Sequence, residues 1–424
     1  MPPSPTTADP QPIRRPRRRP SSSRRAWMAV LMLASNAAGQ VAMPSGIVHR
    51  IIHESLATTS GDPLVVDEDR AIVFDHPGGL PQVVPAAEVL AIVVGPVAER
   101  DVDAVVRTAA RRAGDDVEIT SPFLEFIDGQ RLPGSLHAGG DGRPVWRSAW
   151  VRDLPFELDR IRSVRLEEGA PVVRSDEADV VVLSNGDQLR GLVEDVGLDV
   201  VVEVDDGGDG DPRRISVPIH RVASISLVNP LEPAVGAMTW LRGGHRIGSA
   251  SVRVEDDGYV RLVRPTLGGD LSEIPAEFLL ATTPHAERIV ALAMTPVEVG
   301  PGSAAGVRPW IPPIETDAGH HPFDAAPLRL DGPLRATFTL PSGTERVAMT
   351  LERPGDAGDG RYVVVLADGD REVERRVLDV DDPVASVVIP IESGRLVVEI
   401  EDGGDGPFGD VLLLREAIVV RSGN

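Results

Sequence analysis

The chain contains no cysteine, no lysine and few aromatic residues. Only 4% of its 424 residues are aromatic, and all 43 basic residues are arginine. Without cysteine there is no disulfide and no thiolate chemistry, so stability must come from packing. Without lysine, a Schiff-base lysine, a phosphate-loop lysine and a Ser-Lys dyad are excluded. The composition thus removes several catalytic classes before any motif is considered.

The first 38 residues differ from the rest of the chain. They hold seven arginines, and an apolar run from Ala26 to Ala34 follows these, with small residues near Gly39. A basic segment, a short apolar stretch and a small-residue site are typical of a cleavable secretory signal. We therefore expect residues 1–38 to be a basic leader and the mature protein to be secreted or periplasmic. A disordered basic tail is the alternative, and Arg24 with Arg25 leaves a twin-arginine route open.

Acidic residues outnumber basic ones, giving a net charge of -22 for the chain and -28 without residues 1–38. A field of this sign repels nucleic acid, whose recognition depends on clustered basic residues. No later apolar run reaches the ~20 residues that a membrane-spanning helix needs. We expect no nucleic-acid partner and no membrane span after leader removal, which leaves cations and neutral polymers as partners.

Three segments share one sequence frame, in which a β-rich run is followed by a glycine and, three residues later, by an aliphatic residue. The glycines are Gly129, Gly186 and Gly244. Because glycine takes the positive φ of a tight turn, each segment predicts a β-hairpin. A proline-led stretch follows each one, and residues 84–92 resemble an earlier, degenerate copy. We predict four modules, although hairpins of any β protein can look alike; the modules lie near 54–95, 119–168, 176–229 and 235–283.

The remaining chain predicts one helix, a connection and a second β assembly. The helix lies near 101–113, within a β-repeat region that covers 39–296. The segment 297–333 is rich in proline and glycine and predicts a connection between domains. Seven short strands separated by turns fill 334–424 and predict an antiparallel β-sandwich. The fold class is therefore mainly β.

No catalytic motif is recognisable, although a carboxylate pair assembled in three dimensions leaves an enzyme open as an alternative. The best binding candidates are two acidic glycine loops, 205–211 and 401–410. Ca²⁺ takes about six to eight oxygen ligands, which such loops can supply, and solvated turns are the alternative. We predict Glu401, Asp402 and Asp405 as Ca²⁺ ligands. Trp310, set among prolines, is the aromatic residue expected to be partly exposed for sugar binding.

The last 120 residues or so resemble the NPCBM family of carbohydrate-binding modules. The matching strands run in order from Val363 to Ile400 and lead into the acidic loop, with Asp410 before the last strand. The resemblance implies a galactose-binding-like jelly-roll sandwich whose ligand is a polysaccharide or a cell-surface glycan. From the acidic loop and the exposed tryptophan, we predict Trp310, Asp402, Asp405 and Asp410 as ligand-binding residues.

These observations predict an exported, non-catalytic protein that binds carbohydrate or associates with the cell surface. A structural or assembly protein that acts through protein contacts is the alternative from another class. A third alternative is an accessory module of a glycoside hydrolase, or a divergent glycoside hydrolase itself.

Overall fold

The computed structural model describes most of the chain beyond residue 48. The described residues are 49–53, 58–66, 70–74, 81–85, 88–94, 122–140, 143–204, 212–254, 259–267, 270–271, 273–301, 321–355, 360–403 and 410–423. The basic leader, the predicted helix 101–113, the loop 205–211, Trp310 and Asp405 lie outside the described residues. Strands joined by turns and short 3-10 segments make up the described chain, which confirms the predicted mainly β fold.

The first half of the described chain consists of four modules. Module 1 contains β1 (His49–His53), β2 (Thr58–Val66), β3 (Arg70–Phe74), β4 (Pro81–Pro85) and β5 (Val89–Val94). Module 2 contains β6 (Phe123–Phe126), β7 (Arg131–Pro133), β8 (Ser135–Ala138), β9 (Pro144–Arg147), β10 (Val151–Arg152), β11 (Leu154–Pro155) and β12 (Ile161–Arg165). Module 3 contains β13 (Asp179–Leu183), β14 (Gln188–Val196), β15 (Asp199–Val204), β16 (Arg213–Pro218) and β17 (Val222–Ser226). Module 4 contains β18 (Ala237–Leu241), β19 (His245–Val254), β20 (Tyr259–Pro265), β21 (Asp270–Leu271), β22 (Ile274–Pro275) and β23 (Leu279–Thr283).

Each module is a meander of antiparallel strands that closes on itself. The hairpin glycines Gly129, Gly186 and Gly244 have φ values of +80°, +88° and +84°, as the predicted turns require. In modules 2 to 4 a 3-10 turn then leads into a final strand, here called the closing strand, which pairs with the first strand of the same module. The closing strands are β5, β12, β17 and β23.

Module 1 differs from its predicted form. It begins at His49 rather than near residue 54, and it repeats the full pairing scheme, β1 with β2, β2 with β3, β3 with β4 and β1 with β5. Module 1 therefore has the strand pairing of module 3, although its sequence is a degenerate copy of the shared frame. The segment 54–57 between β1 and β2 contains no glycine, unlike the other three hairpins, so the sequence did not indicate this hairpin.

Closing strands join the modules in pairs. The central contact between modules 2 and 3 is Val164 opposite Ile225, and the contact between modules 1 and 4 places Ile92 opposite Thr282. Each of these four residues is the fourth of its closing strand, so both pairings have the same register. Equivalent residues that face each other across an antiparallel pair imply a local two-fold relation between the modules.

Modules 2 and 4 meet through a different strand. Arg131 of β7 pairs with Arg246 of β19, and each residue stands two positions after its hairpin glycine. The modules therefore follow one another in the sheet in the order 1, 4, 2, 3. Cα partners on adjacent strands lie on one face of a sheet. One such row runs through Trp240, Arg246, Arg131, Glu125 and Ser163.

The C-terminal half forms two antiparallel sheets that face each other. One has the order β24 (Ile289–Ala291), β33 (Val411–Arg421), β28 (Thr344–Glu352) and β31 (Val384–Pro390), with β26 (Leu328–Asp331) also pairing β33. The other has the order β25 (Val297–Pro301), β27 (Leu334–Thr339), β32 (Arg395–Asp402), β29 (Tyr362–Asp368) and β30 (Arg371–Leu378). Inward-facing residues of both sheets share one apolar cluster, so the predicted β-sandwich is confirmed.

The sandwich takes strands from a segment that was predicted to be a connection. β25 pairs with β27, and β26 pairs with β33, so both belong to the sandwich although they lie within 297–333. β24, which precedes them, also pairs with β33. Proline and glycine obscured β25 in the sequence, because Pro296, Gly300 and Pro301 surround its alternating Val297 and Val299.

The sandwich packs directly on modules 1 and 4. A third apolar cluster combines Leu90 and Trp240 from the modules with Ile418 and Val420 of β33, and Phe323 lies among them. The ring of Phe323 meets that of Trp240 edge to face, with 5.1 Å between ring centroids. The described residues thus show a shared apolar interface where a free tether was expected.

Candidate functional site

The predicted ligand-binding residues that the structure describes lie at one end of the sandwich. Asp402 ends β32 and pairs with Tyr362 at the start of β29, while Asp410 immediately precedes β33. The structure therefore brings Asp402 and Asp410 to the same end. Trp310 and Asp405 lie outside the described residues, so their place at this end stays a prediction.

Asp410 is buried, with 1% of its surface exposed, and its charge acts on Tyr362 together with that of Arg353. The Tyr362 hydroxyl donates a hydrogen bond of 2.5 Å to the carbonyl oxygen of Val411. Burial raises the pKa of Tyr362, Arg353 lowers it to a smaller extent, and the charge of Asp410 raises it. Tyr362 consequently stays protonated and fixes the chain directly after Asp410. Nothing in the sequence indicated this role for Tyr362 or Arg353.

Two close approaches fix the flanks of the acidic loop. A Cβ on Gly403 would lie 1.9 Å from the carbonyl oxygen of Arg361, and a Cβ on Gly332 would lie 2.4 Å from a methyl carbon of Ile400. The amide of Gly332 also donates to the carbonyl oxygen of Asp410 at 2.6 Å. Both flanks of the loop therefore need glycine nearby, which makes this end of the sandwich tightly built.

The predicted Ca²⁺ ligands Glu401 and Asp402 are consecutive residues of one strand, so their side chains project to opposite faces of the sheet. Glu401 forms an ion pair of 2.7 Å with Arg375 on the outer face. Asp402 belongs to the alternating set whose other members, such as Ile400, face the core. Within the described residues no group of three His, Asp or Glu side chains could hold a metal ion.

A polar cluster, missed by sequence reasoning, lies where modules 2 and 4 meet. Glu125 accepts a hydrogen bond of 2.9 Å from the Ser163 hydroxyl and one of 3.1 Å from Arg174, and Arg246 lies 3.9 Å away. Burial alone would raise the pKa of Glu125, but Arg174, Arg246 and Ser163 together hold it below its ordinary value. The signal for this cluster was a single carboxylate inside the otherwise apolar strand FLEF.

Asp324 extends this cluster to the sandwich. It is buried and accepts hydrogen bonds from Arg246 at 2.8 Å and from the Trp240 indole at 3.2 Å. Phe323 and Asp324 have φ values of 60° and 57°, a conformation that non-glycine residues seldom adopt. The ring contact of Phe323 and the ion pair of Asp324 hold this turn against module 4.

One serine and one histidine lie at the distance of a catalytic pair. The Nε2 atom of His245 is 3.0 Å from the Ser148 hydroxyl, and its Nδ1 atom is 3.4 Å from the carbonyl oxygen of Arg242. Catalysis would need a carboxylate behind the imidazole and access for a substrate. Here a carbonyl takes that place, and Ser148 and His245 are 3% and 6% exposed. The pair therefore links modules 2 and 4 inside the core that they share.

A surface groove of about 320 Å³ lies on module 3, and three carboxylates line it. Glu177 and Glu203 stand at its edge with the aliphatic side chains of Leu192 and Val228. Asp179 also reaches the groove, but its carboxylate already accepts hydrogen bonds of 2.8 Å from the amides of Val193 and Val228. The groove offers polar and apolar contacts to a small ligand.

No model of a known protein family matches the chain, and no curated protein matches it. Among solved structures, it is similar to a CBM51 module from Clostridium perfringens GH95 in complex with methyl-galactose, with 13% identity, a TM-score of 0.21, and coverage of 22% of this chain and 69% of that one. It is also similar to the tandem CBM51 modules of a family 98 glycoside hydrolase from Streptococcus pneumoniae, with 10% identity, a TM-score of 0.22, and coverage of 68% and 88%.

A third similar structure comprises the CBM51-2 module in complex with GlcNAc and the INT domains of Clostridium perfringens ZmpB. It has 10% identity and a TM-score of 0.25, and the match covers 45% of this chain and 38% of that one. All three TM-scores are below 0.5, so these likenesses do not decide the fold or the function of this chain. Within the described residues, no helix has the length and apolar character needed to cross a membrane.

Proposed function

We propose that the protein is an exported, non-catalytic carbohydrate-binding protein whose C-terminal sandwich is a divergent NPCBM module. The glycan would contact the end of the sandwich that carries the acidic loop between Asp402 and Asp410. A polysaccharide or a cell-surface glycan is the proposed ligand class, in keeping with the acidic charge of the chain, which disfavours anionic polymers.

The fixed flanks of the acidic loop carry this proposal. Sugar recognition needs polar groups held in place, because a binding site that must first be ordered loses affinity to conformational entropy. Gly403 and Gly332 lie in close contact with neighbouring chain, and Tyr362 anchors the residue after Asp410. A loop with both ends held in this way can present carboxylates to sugar hydroxyl groups at a low entropic cost.

A glycan array probed with the full chain tests the proposal. We expect binding to at least one polysaccharide, and we expect the double variant Asp402→Ala with Asp405→Ala to weaken it at least about tenfold, through loss of two charged hydrogen-bond acceptors. Asp370→Ala is the matched control, because Asp370 has a 99% exposed side chain and follows the opposite end of β29. Silence across the array would remove the function.

The double variant Glu177→Gln with Glu203→Gln distinguishes the two surfaces. If it abolishes glycan binding while the Asp402 and Asp405 variant binds normally, the glycan occupies the groove of module 3 and the assignment to the sandwich is wrong. If glycan binding is unchanged in both double variants, the glycan occupies neither the end of the sandwich nor the groove of module 3.

Calcium is proposed as an accessory ion of the acidic loop. Asp402 and Asp405 are the proposed ligands, together with loop carbonyl oxygens. The third predicted ligand, Glu401, forms an ion pair with Arg375, which competes with Ca²⁺ for its carboxylate. Titration calorimetry with Ca²⁺ should give a heat of binding that disappears in the Asp402→Ala and Asp405→Ala variant. If the variant gives the same heat of Ca²⁺ binding as the wild type, or the wild type gives none, the proposed calcium site is wrong.

Exposed aliphatic residues favour assembly through protein contacts as a second function. Leu192, Leu198 and Val235 are 59%, 85% and 77% exposed, and Leu192 and Leu198 both belong to module 3, which stands at one end of the row of modules. A contiguous patch of such side chains on module 3 would mark a protein interface.

A further inference from the structure

The contact between modules 2 and 4 shows how the hairpin edge of one module can pair with the hairpin edge of another. At its centre Arg131 faces Arg246, two residues after the hairpin glycine of each module. Beside this pair, the Gln130 side chain accepts a hydrogen bond of 2.6 Å from the amide of Gly248. Gln130 stands one residue after its hairpin glycine, and Gly248 stands four residues after its own.

Module 3 has the same hairpin edge, and it is exposed. Asp187, Gln188 and Arg190 occupy the positions one, two and four residues after Gly186, and all three are exposed. Among the residues that the structure describes, β14 pairs with β13 and β15 and with no other strand. In modules 2 and 4 the corresponding stretch is largely buried; Leu132, His245 and Ile247 are at most 6% exposed.

The edge of β14 has backbone donors that point outward. The amide of Leu183 donates to the carbonyl oxygen of Asp187 at 2.8 Å, so residues 183 and 187 form a hydrogen-bonded pair of the hairpin. Bonded and non-bonded pairs alternate along an antiparallel ladder. The amides of Gln188 and Arg190 therefore point away from β13, and exposed edges of this kind readily accept another strand.

We infer that module 3 is a self-association surface, on which β14 of one chain pairs antiparallel with β14 of a second copy. The two Gln188 residues would face each other at the centre, as Arg131 faces Arg246 within the chain. A two-fold contact of this type uses the same patch on both copies and closes at a dimer. The uncharged glutamine suits that central position, since like charges directly opposite each other destabilise a strand pair.

Charge complementarity supports a second copy as the partner. A Cβ on Gly248 would come within 3.1 Å of the Gln130 amide group. Across such a contact, the residue four positions after the hairpin glycine of one module therefore points toward the residue one position after the hairpin glycine of the other. In module 3 these positions carry Arg190 and Asp187. Pairing two copies would therefore bring each Arg190 to the Asp187 of its partner, twice per dimer. Aspartate is also one carbon shorter than Gln130, which leaves room for the guanidinium.

The strand also offers apolar surface next to these charges. Leu192 stands six residues after Gly186 and is 59% exposed, whereas the corresponding residues of modules 2 and 4 are Ser135 and Ala250. The module with the free edge thus has the larger aliphatic side chain beside it. Burying Leu192 in a dimer would remove this side chain from water and add to the strand pairing.

Sedimentation equilibrium of the full chain over a concentration series tests the inference. The wild type should show a monomer–dimer equilibrium. Arg190→Glu and Asp187→Arg should each raise the dimer dissociation constant about tenfold or more, since each turns two attractive contacts into repulsive ones. An equimolar mixture of the two variants should dimerise again, because each chain then supplies the charge that the other lacks.

Arg213→Glu is the matched control, since Arg213 is an exposed arginine at the start of β16 in the same module. This variant should dimerise like the wild type, and all variants should keep the wild-type circular dichroism spectrum. A wild type that stays monomeric over the whole series overturns the inference. So does a dimer that neither charge reversal weakens, or a mixture in which dimerisation does not return. These outcomes are independent of glycan binding, which is measured on the array.

Discussion

Acid should destabilise module 4 through His245. The imidazole is fully buried, and the edge of Trp150 packs against it with 6.2 Å between ring centroids. Because Nδ1 faces a carbonyl oxygen, it must carry the proton, and Nε2 then accepts from the Ser148 hydroxyl. The folded site is therefore built for the neutral ring. Burial, with a smaller effect from the charge of Arg131, lowers the pKa of His245 to about 4, against the ordinary value of 6.5.

The direction of the effect follows from proton uptake. Between pH 6.5 and about 4, His245 is protonated in the unfolded chain but neutral in the folded chain. The free energy of unfolding therefore decreases as the pH falls through this window. From pH 7 to pH 5 the loss is about 2 kcal/mol, and it approaches about 3 kcal/mol near pH 4. Carboxylates such as Glu125 and Asp368, whose folded pKa values are lowered, add their own losses only at lower pH.

Urea unfolding at pH 7 and pH 5, followed by tryptophan fluorescence, measures this difference. His245→Gln keeps a polar side chain of similar reach but does not titrate. Its free energy of unfolding should be lower than that of the wild type at pH 7, yet it should fall by about 2 kcal/mol less between the two pH values. The other histidines are common to both proteins and cancel. Equal losses in the two proteins would show that His245 is not held neutral, and the reasoning would be refuted.

Two further predictions concern the polar cluster and the sandwich. Glu125→Ala should lower the free energy of unfolding by about 3 kcal/mol in urea, because it removes a buried carboxylate that accepts hydrogen bonds from the Ser163 hydroxyl and from Arg174. Glu157→Ala, in the exposed pair with Arg160, should change it by less than about 1 kcal/mol; similar losses would contradict the argument. Gly403→Ala should lower the melting temperature by an amount that corresponds to about 1–3 kcal/mol, and Gly197→Ala, with open space at its Cβ, should have little effect; a normal melting temperature for Gly403→Ala would contradict the close approach.

The strand pattern of the sandwich could be predicted closely from the sequence. Seven short strands were predicted within 334–424, and the structure describes seven there, from β27 at Leu334–Thr339 to β33 at Val411–Arg421. These strands have regular apolar alternation and clear turns, so local information was sufficient. β24 and β26 were missed because they are short, and pairing with β33, far away in the sequence, makes them strands.

The polar clusters were harder to predict, because they depend on contacts between modules. Nothing in the sequence near Asp324 indicates that it meets Trp240 and Arg246, which come 84 and 78 residues earlier. Asp410 was predicted as a ligand-binding residue because of its acidic neighbourhood, yet its side chain is buried beside Tyr362. The sequence placed Asp402 and Asp410 on the two sides of one loop, but it did not indicate which of the two carboxylates faces inward.

The order of modules in the sheet, 1, 4, 2, 3, governs how the chain can assemble. The closing strand of module 1, β5, pairs with β23, which comes much later in the sequence. The hydroxyl of Thr283 in β23 donates to the carbonyl oxygen of Leu90 in β5, 193 residues earlier. Contacts of such long range form slowly, and an unfinished strand edge attracts other chains in the meantime. The outer edge of module 1 can therefore be covered only after β23 has been synthesised. Truncation before Leu279 would leave Val89–Val94 as an open edge and should promote aggregation.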